Sequence, residues 1–259
     1  MRSRELAMET VGELDTSTAA TRALGRVLVL IPAYNEAGRV GPVVRDVIDA
    51  LPGADVIVVD DGSADSTAAE ARIAGAQVLR LPVNLGYGAA LQTGYMHAVR
   101  RGYDAVAQLD ADGQHAARHL SLLLDRFARG DVDVVIGSRF LDRDGHYHAT
   151  WARKVGMSIF ARVASVVTKQ HISDPTSGFQ VIGIDVARFF CSEVYPADYP
   201  DADILILLSR TGFKICEVGV QMQPGTGSSM HDGHRSLYYV YKMSLSIFLT
   251  LLRPRGKGA

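Results

Sequence analysis

The chain has 259 residues, 47% hydrophobic and 21% charged, with 27 basic against 28 acidic residues. That is ordinary globular composition, and at about 150 residues per domain it leaves room for one large or two small domains. It excludes a disordered or collagen-like chain, and a net charge of −1 gives no basic excess to recommend nucleic acid.

Residues 1–25 are polar and Ala/Thr-rich, lack a signal-peptide core, and read as a mobile extension. The apolar run 26–31, closed by Pro32, predicts a buried strand. Val40, Val43, Val44, Val47, Ile48 and Leu51 then mark one helical face, stopped by Pro52-Gly53. Residues 54–59 predict the next strand, followed by a helix over 65–74 and a strand over 77–81. A helix over 86–101, a strand over 104–109, a helix over 119–128 and a strand over 132–136 complete the alternation. Short β–α connections throughout imply a mostly parallel sheet flanked by helices. With no linker in sight, 26–233 reads as one domain.

The second half is less regular. It predicts a helix over 150–168, a strand over 179–184 and a helix over 202–209. Over 214–222, Cys216, Val218, Val220 and Met222 alternate with polar or small residues, which predicts a half-buried strand. Cys191 and Cys216 are the only cysteines, too few for a disulfide framework, and read as buried thiols in a reduced cytoplasmic compartment. Residues 237–252 form an apolar stretch containing Lys242, shorter than the roughly 20 residues a spanning helix needs. With Arg253, Arg255 and Lys257 behind it, the segment 234–259 reads as an apolar helix and basic tail. It could pack on the domain, on a second copy in a homodimer, or peripherally on an anionic membrane face.

The polar clusters lie just after strands, where open α/β sheets bind ligands. Asp110-Ala111-Asp112-Gly113-Gln114 is the most informative. Two carboxylates at i and i+2 can converge on one hard cation, Mg²⁺ or Mn²⁺, with the Gln114 oxygen as a third donor. Turn carboxylates capping the next helix would give the same pattern. Asp60-Asp61-Gly62-Ser63 could accept hydrogen bonds from a base or ribose, while Ser63 or Asp65 could equally cap a helix. Asn84-Leu85-Gly86-Tyr87-Gly88-Ala89 is a glycine loop opening a helix, a place where phosphate can approach. No P-loop sequence occurs.

In order and spacing these motifs resemble those of the family 2 nucleotide-sugar glycosyltransferases of the GT-A fold. Pro32-Ala33-Tyr34-Asn35-Glu36 is similar to the first strand-end motif, and Asp60–Ser63, Asn84–Ala89, Asp110–Gln114 with His115, and Gly137-Ser138-Arg139 follow in turn. The nearest branch is the dolichyl- or polyprenyl-phosphate mannosyltransferase-like one. The resemblance implies a metal-dependent, inverting transfer of sugar from a nucleoside-diphosphate sugar. Pro32, Tyr34, Glu36, Val59 and Asp61 would line the nucleoside pocket. Asp110, Asp112 and Gln114 would hold the metal, with Ala111 and Gln114 also at the diphosphate. Arg139 would contact a phosphate. Asp174-Pro175-Thr176-Ser177-Gly178-Phe179 resembles a loop near the acceptor. Asp201 and Asp203 stand where relatives carry an acidic residue beside the acceptor, and each could be a base or a helix cap.

Two positions depart from the lipid-phosphate branch, because Gln223 and Ser229 replace an expected Arg and Lys. Polymer synthases carry Q-x-x-R-W, whereas the single tryptophan, Trp151, stands outside any such motif. His231 and His234, and less so His146 and His148, are further metal candidates. The acceptor expected is polyprenyl phosphate. The alternatives are a small hydroxyl acceptor for a soluble transferase, or a non-catalytic nucleotide-binding module.

Overall fold

The computed structural model describes residues 24–141, 151–193, 195–196, 202–222, 245–247 and 249–250. Seven strands, β1 (Val27–Ala33), β2 (Asp55–Asp60), β3 (Gln77–Arg80), β4 (Ala105–Gln108), β5 (Val134–Ser138), β6 (Gln180–Gly183) and β7 (Ile215–Gly219), form one sheet in the order β3-β2-β1-β4-β6-β5-β7. Every pairing is parallel except those of β6, which runs antiparallel to both β4 and β5.

β1 is buried along its whole length because helices cover both faces of the sheet. Val27, Val29, Ile31 and Ala33 enter one core while Leu28 and Leu30 enter the other. β2 divides in the same way, with Val56 and Val58 on one face and Ile57 and Val59 on the other. The first core is closed by α1 (Val40–Ala50), through Val40, Val43, Val44 and Val47, and by α4 (Leu120–Phe127), through Leu120, Leu123 and Leu124. α2 (Thr67–Ile73) joins the same layer through Ala71. The second core is closed by α3 (Tyr87–Arg101), α6 (Ile184–Phe190) and α7 (Ala202–Thr211). α3 lies so close to β1 that a Cβ at Gly94 would stand 2.2 Å from Leu30 Cδ1. The mid-helix glycine is therefore a packing requirement.

Three features differ from the sequence expectation. The expected 179–184 strand ends at Gly183, whose extended backbone opens α6 directly, so a continuous apolar run hides a strand-to-helix junction. The helix expected from 65 begins at Thr67, because Asp65 Oδ1 accepts hydrogen bonds from both the backbone N–H (2.9 Å) and hydroxyl (2.5 Å) of Thr67 in a preceding turn. Cys191 and Cys216 are free but half-buried rather than buried, and what burial they have pushes both thiol pKa values up.

α5 (Trp151–Thr168) packs with α7 in a third, smaller cluster of Phe160, Ala202, Ile206 and Ile247. Residues 245–247 and 249–250 are helical. Ile247 and Thr250 are buried, whereas Leu245 and Leu249 stay 42% and 51% exposed. This part of the expected C-terminal helix thus packs on the domain with one face and leaves two leucines outside. Among the described residues no helix is long and apolar enough to cross a membrane. Most of the 1–25 extension, the remainder of 237–252, the basic tail, and residues Asp201, Gln223, Ser229, His146, His148, His231 and His234 lie outside the described residues.

Candidate active site

The carboxyl ends of the parallel strands β1, β2 and β4 open on one edge of the sheet, and the loops that follow them are laced together. Asn35 adopts a left-handed backbone, φ 53°, which asparagine tolerates well. Its N–H donates to Ser63 Oγ at 2.9 Å and its side-chain oxygen accepts from the Ala64 N–H at 3.0 Å. The Glu36 N–H donates to Thr67 Oγ1 at 2.8 Å. Ser63 thus holds the β1 loop instead of capping a helix. Gly62, at φ +71°, lies against the Val83 backbone, with its absent Cβ only 2.5 Å from the Val83 carbonyl carbon.

Asp61 is buried, and its two oxygens accept the N–H groups of Leu85 (2.7 Å) and Gly86 (2.9 Å). The glycine loop therefore presents its leading N–H groups to a carboxylate of the protein, and Asp61 fixes the position of that loop. Pro32 and Val59 are partners across β1 and β2. Tyr34, just after β1, is 48% exposed.

Glu36, Asp110 and Asp112 share this cleft electrostatically. Burial raises the Glu36 pKa. Arg39, 2.7 Å away, opposes the rise, but Asp112 and Asp110 reinforce it. Asp112 is raised by burial and then by Asp110, against the hydrogen bond from the Gln114 N–H. Asp110 goes the other way: burial disfavours its charge, but His115, Tyr87 and Arg139 outweigh that and hold its pKa down.

The contacts explain this split. Tyr87 Oη donates to Asp110 Oδ1 at 2.8 Å, and His115 Nε2 lies 3.3 Å from Oδ2. His115 is itself fixed by stacking on Phe179, with ring centroids 5.0 Å apart. Asp112 accepts both the backbone N–H (2.9 Å) and the side-chain amide (2.6 Å) of Gln114. Gln114 thus turns its amide nitrogen to Asp112 and retains its oxygen as a donor atom. Ala111 is buried in the first core. Among the described residues no group of three His, Cys, Asp or Glu side chains is arranged as a metal site. The donor set of two carboxylates and one amide oxygen is nonetheless all hard oxygen, which suits Mg²⁺ or Mn²⁺.

Across the cleft, the loop 173–178 packs on the end of β5. Arg139 donates through Nε and Nη2 to the two oxygens of Asp174, both at 2.6 Å, and through Nη2 to Thr176 Oγ1 at 2.8 Å. Asp174 is fully buried and the Arg139 side chain only 9% exposed. Gly178 lies against Asp110, and a Cβ there would stand 2.7 Å from Oδ2. The loop is held from below by Glu217 on β7, which accepts from the Ser173 N–H and hydroxyl and the Asp174 N–H at 2.7–2.9 Å. Alternation along 214–222 gave no sign of this, because it sets Glu217 among the residues facing away from the core. Glu217→Ala should leave these donors without an acceptor and cost about 1–3 kcal/mol, read as a lower thermal unfolding midpoint. An unchanged midpoint would show that the loop does not depend on Glu217.

Asp203 lies in the first turn of α7, 5% exposed. Its carboxylate accepts from the Ile204 N–H at 2.9 Å and from Ser246 Oγ at 2.5 Å. It thus ties α7 to the C-terminal helical residues.

Comparison with known proteins decides the family. The model of Glycosyl transferase family 2 matches residues 28–188, more than half of the chain. The chain belongs to glycosyl transferase family 2. This glycosyltransferase is 36% identical over 210 residues to polyprenol monophosphomannose synthase of Mycolicibacterium smegmatis, covering 78% of this chain and 79% of that one. It is 31% identical over 202 residues to undecaprenyl-phosphate mannosyltransferase of Micrococcus luteus, covering 75% and 82% respectively. The fold is that of glucosyl-3-phosphoglycerate synthase from Mycobacterium tuberculosis, solved with Mn²⁺, UDP-glucose and phosphoglyceric acid. The TM-score is 0.67 at 20% identity, over 91% of this chain and 81% of that one. The glycosyltransferase is thus a nucleotide-sugar-dependent enzyme of the GT-A fold, as its motifs imply.

Proposed function

We propose that the enzyme transfers a sugar from a nucleoside-diphosphate sugar to a polyprenyl phosphate, with inversion at the anomeric carbon and with a divalent cation. The observation that carries the reading is the Asp110–Asp112 pair at the end of β4. Asp110 is anchored by Tyr87 and His115, and Asp112 by Gln114, at the edge where three parallel strands open. The two lipid-phosphate transferases to which the chain is similar support the acceptor class.

In this reading Asp110, Asp112 and the Gln114 oxygen hold the cation, which when bound neutralises departing diphosphate charge as a Lewis acid. Pro32, Tyr34, Glu36 and Val59 line the nucleoside pocket, and Asp61 acts on it through the 84–86 loop. Arg139, fixed in plane by Asp174 and near enough to Asp110 to lower its pKa, offers its charge to a phosphate. An acceptor phosphate oxygen attacks the anomeric carbon opposite the leaving group. The carbon–oxygen bond to the diphosphate breaks, and nucleoside diphosphate departs with the electron pair. The exposed Leu245 and Leu249, with Arg253, Arg255 and Lys257 later in the sequence, suit peripheral contact with an anionic membrane.

A phosphate monoester, with a second pKa of about 6, already presents an anionic oxygen at pH 7, whereas a hydroxyl needs a base. The Asp203 carboxylate, engaged by Ser246 and Ile204, suits a positioning role. Asp203→Asn should therefore lower turnover with polyprenyl phosphate by less than about 10²-fold, short of the range typical of general-base removal. The double variant Asp201→Asn/Asp203→Asn guards against one carboxylate covering for the other. A loss on the order of 10³-fold or more in either, with donor binding intact, would point instead to a hydroxyl acceptor.

A further inference from the structure

Asp110 stands at the end of a chain of hydrogen bonds running through the second core. Tyr95 Oη donates to Gln108 Oε1 at 2.5 Å, Gln108 Nε2 donates to Tyr87 Oη at 3.2 Å, and Tyr87 Oη donates to Asp110 Oδ1 at 2.8 Å. Tyr95 and Gln108 are buried, and Tyr95 is fixed by rings on two sides, Phe190 at 5.3 Å and Tyr195 at 5.7 Å. Because Gln108 fills the acceptor side of the Tyr87 oxygen, the hydroxyl proton is directed at Asp110. The direction of the carboxylate is set on its other side by His115. Gly178 supplies the room: a Cβ there would lie 3.0 Å from Tyr87 Oη as well as 2.7 Å from Asp110 Oδ2.

We infer that Tyr87 is a positioning residue for the metal-holding carboxylate, holding Oδ1 of Asp110 while His115 meets Oδ2, so that the carboxylate is kept in the orientation it presents to the cation together with Asp112. The inference rests on the reading of Asp110 and Asp112 as the cation's ligands. Outer partners of ligating carboxylates commonly change metal affinity by 10–100-fold when removed. A phenylalanine keeps the ring and removes only the hydroxyl, so the fold has little reason to change. It removes the hydrogen bond to Oδ1, leaves Asp110 held by His115 alone, and leaves Gln108 Nε2 without its acceptor.

The test is calorimetric titration of UDP and of GDP into the full chain, with Mn²⁺ and then with EDTA, for wild type, Tyr87→Phe and Asp110→Asn. In Tyr87→Phe, binding with Mn²⁺ of whichever diphosphate binds wild type should weaken about tenfold. Binding in EDTA should stay as in wild type, and so should the unfolding midpoint. A general structural defect would weaken both conditions alike, and that result would overturn the inference. Wild-type-like Mn²⁺-dependent affinity in Tyr87→Phe, with that affinity lost in Asp110→Asn, would overturn the role of Tyr87 and leave Asp110 a ligand. Mn²⁺-dependent binding preserved in Asp110→Asn, or absent from wild type, would overturn the ligand reading and the role of Tyr87 with it.

Discussion

Asp112→Asn is expected to abolish Mn²⁺-dependent binding of the nucleoside diphosphate and to lower turnover by about 10³-fold, while the protein stays folded. If Asp110 and Asp112 hold the cation as proposed, removing one of the two anionic oxygens leaves a single carboxylate and neutral amides for it. Loss of Lewis-acid stabilisation worth several kcal/mol corresponds to several powers of ten in rate. The sign of the stability change separates this from unfolding. Asp112 has its pKa raised in the folded protein, by burial and by Asp110. A carboxylate whose folded pKa is raised costs stability at neutral pH, and that cost is relieved only as pH falls through the raised value. Asparagine carries no charge, so the unfolding midpoint at pH 7 should hold or rise. A variant with wild-type metal-dependent affinity would remove Asp112 from the site, and one with a much lower midpoint would make it a structural residue.

The second large effect is expected at the Arg139–Asp174 pair. Asp174→Ala leaves the guanidinium of Arg139, only 9% exposed, without the two carboxylate oxygens that hold it. Breaking a buried pair by removing one partner costs about 3–5 kcal/mol, because the remaining charge is uncompensated. For a chain of this size that is a fall on the order of 10 °C in the unfolding midpoint. Replacing both residues, Arg139→Met/Asp174→Leu, removes the orphaned charge and should recover most of the lost stability. On the proposed reading it should not recover turnover, because the charge that Arg139 would offer to a phosphate is gone. Full turnover in the double variant would mean that Arg139 serves only the loop.

The sheet was legible because strands buried on both faces are apolar through their middles, and 27–31, 56–59 and 105–107 satisfy that. The cleft was legible because polar and glycine residues cluster where those runs stop. Partnerships across long sequence distances were not. Nothing local says that Asp61 is engaged by N–H groups at 85 and 86, that Arg139 is gripped from 174, or that Asp203 meets Ser246. Each residue type fitted a ligand-binding role, and each carries hydrogen bonds that only the packed fold brings together. The antiparallel β6 was hidden for a similar reason, since strand direction depends on the connection and not on the strand's own residues. Glu217 reads in sequence as the polar side of an alternating strand, yet it supports the loop that carries Asp174 and Gly178.

The most direct test of lipid-phosphate glycosylation is product isolation. The full chain is incubated with a panel of nucleoside-diphosphate sugars, Mn²⁺ or Mg²⁺, and a short-chain polyprenyl phosphate, and the organic phase is analysed by mass spectrometry. The expected product is the polyprenyl phosphate heavier by one sugar residue, formed together with stoichiometric nucleoside diphosphate, suppressed by EDTA and absent with the polyprenyl alcohol as acceptor. Sugar transferred to the alcohol but not to the phosphate, or no lipid product while a soluble hydroxyl acceptor is glycosylated, would contradict it.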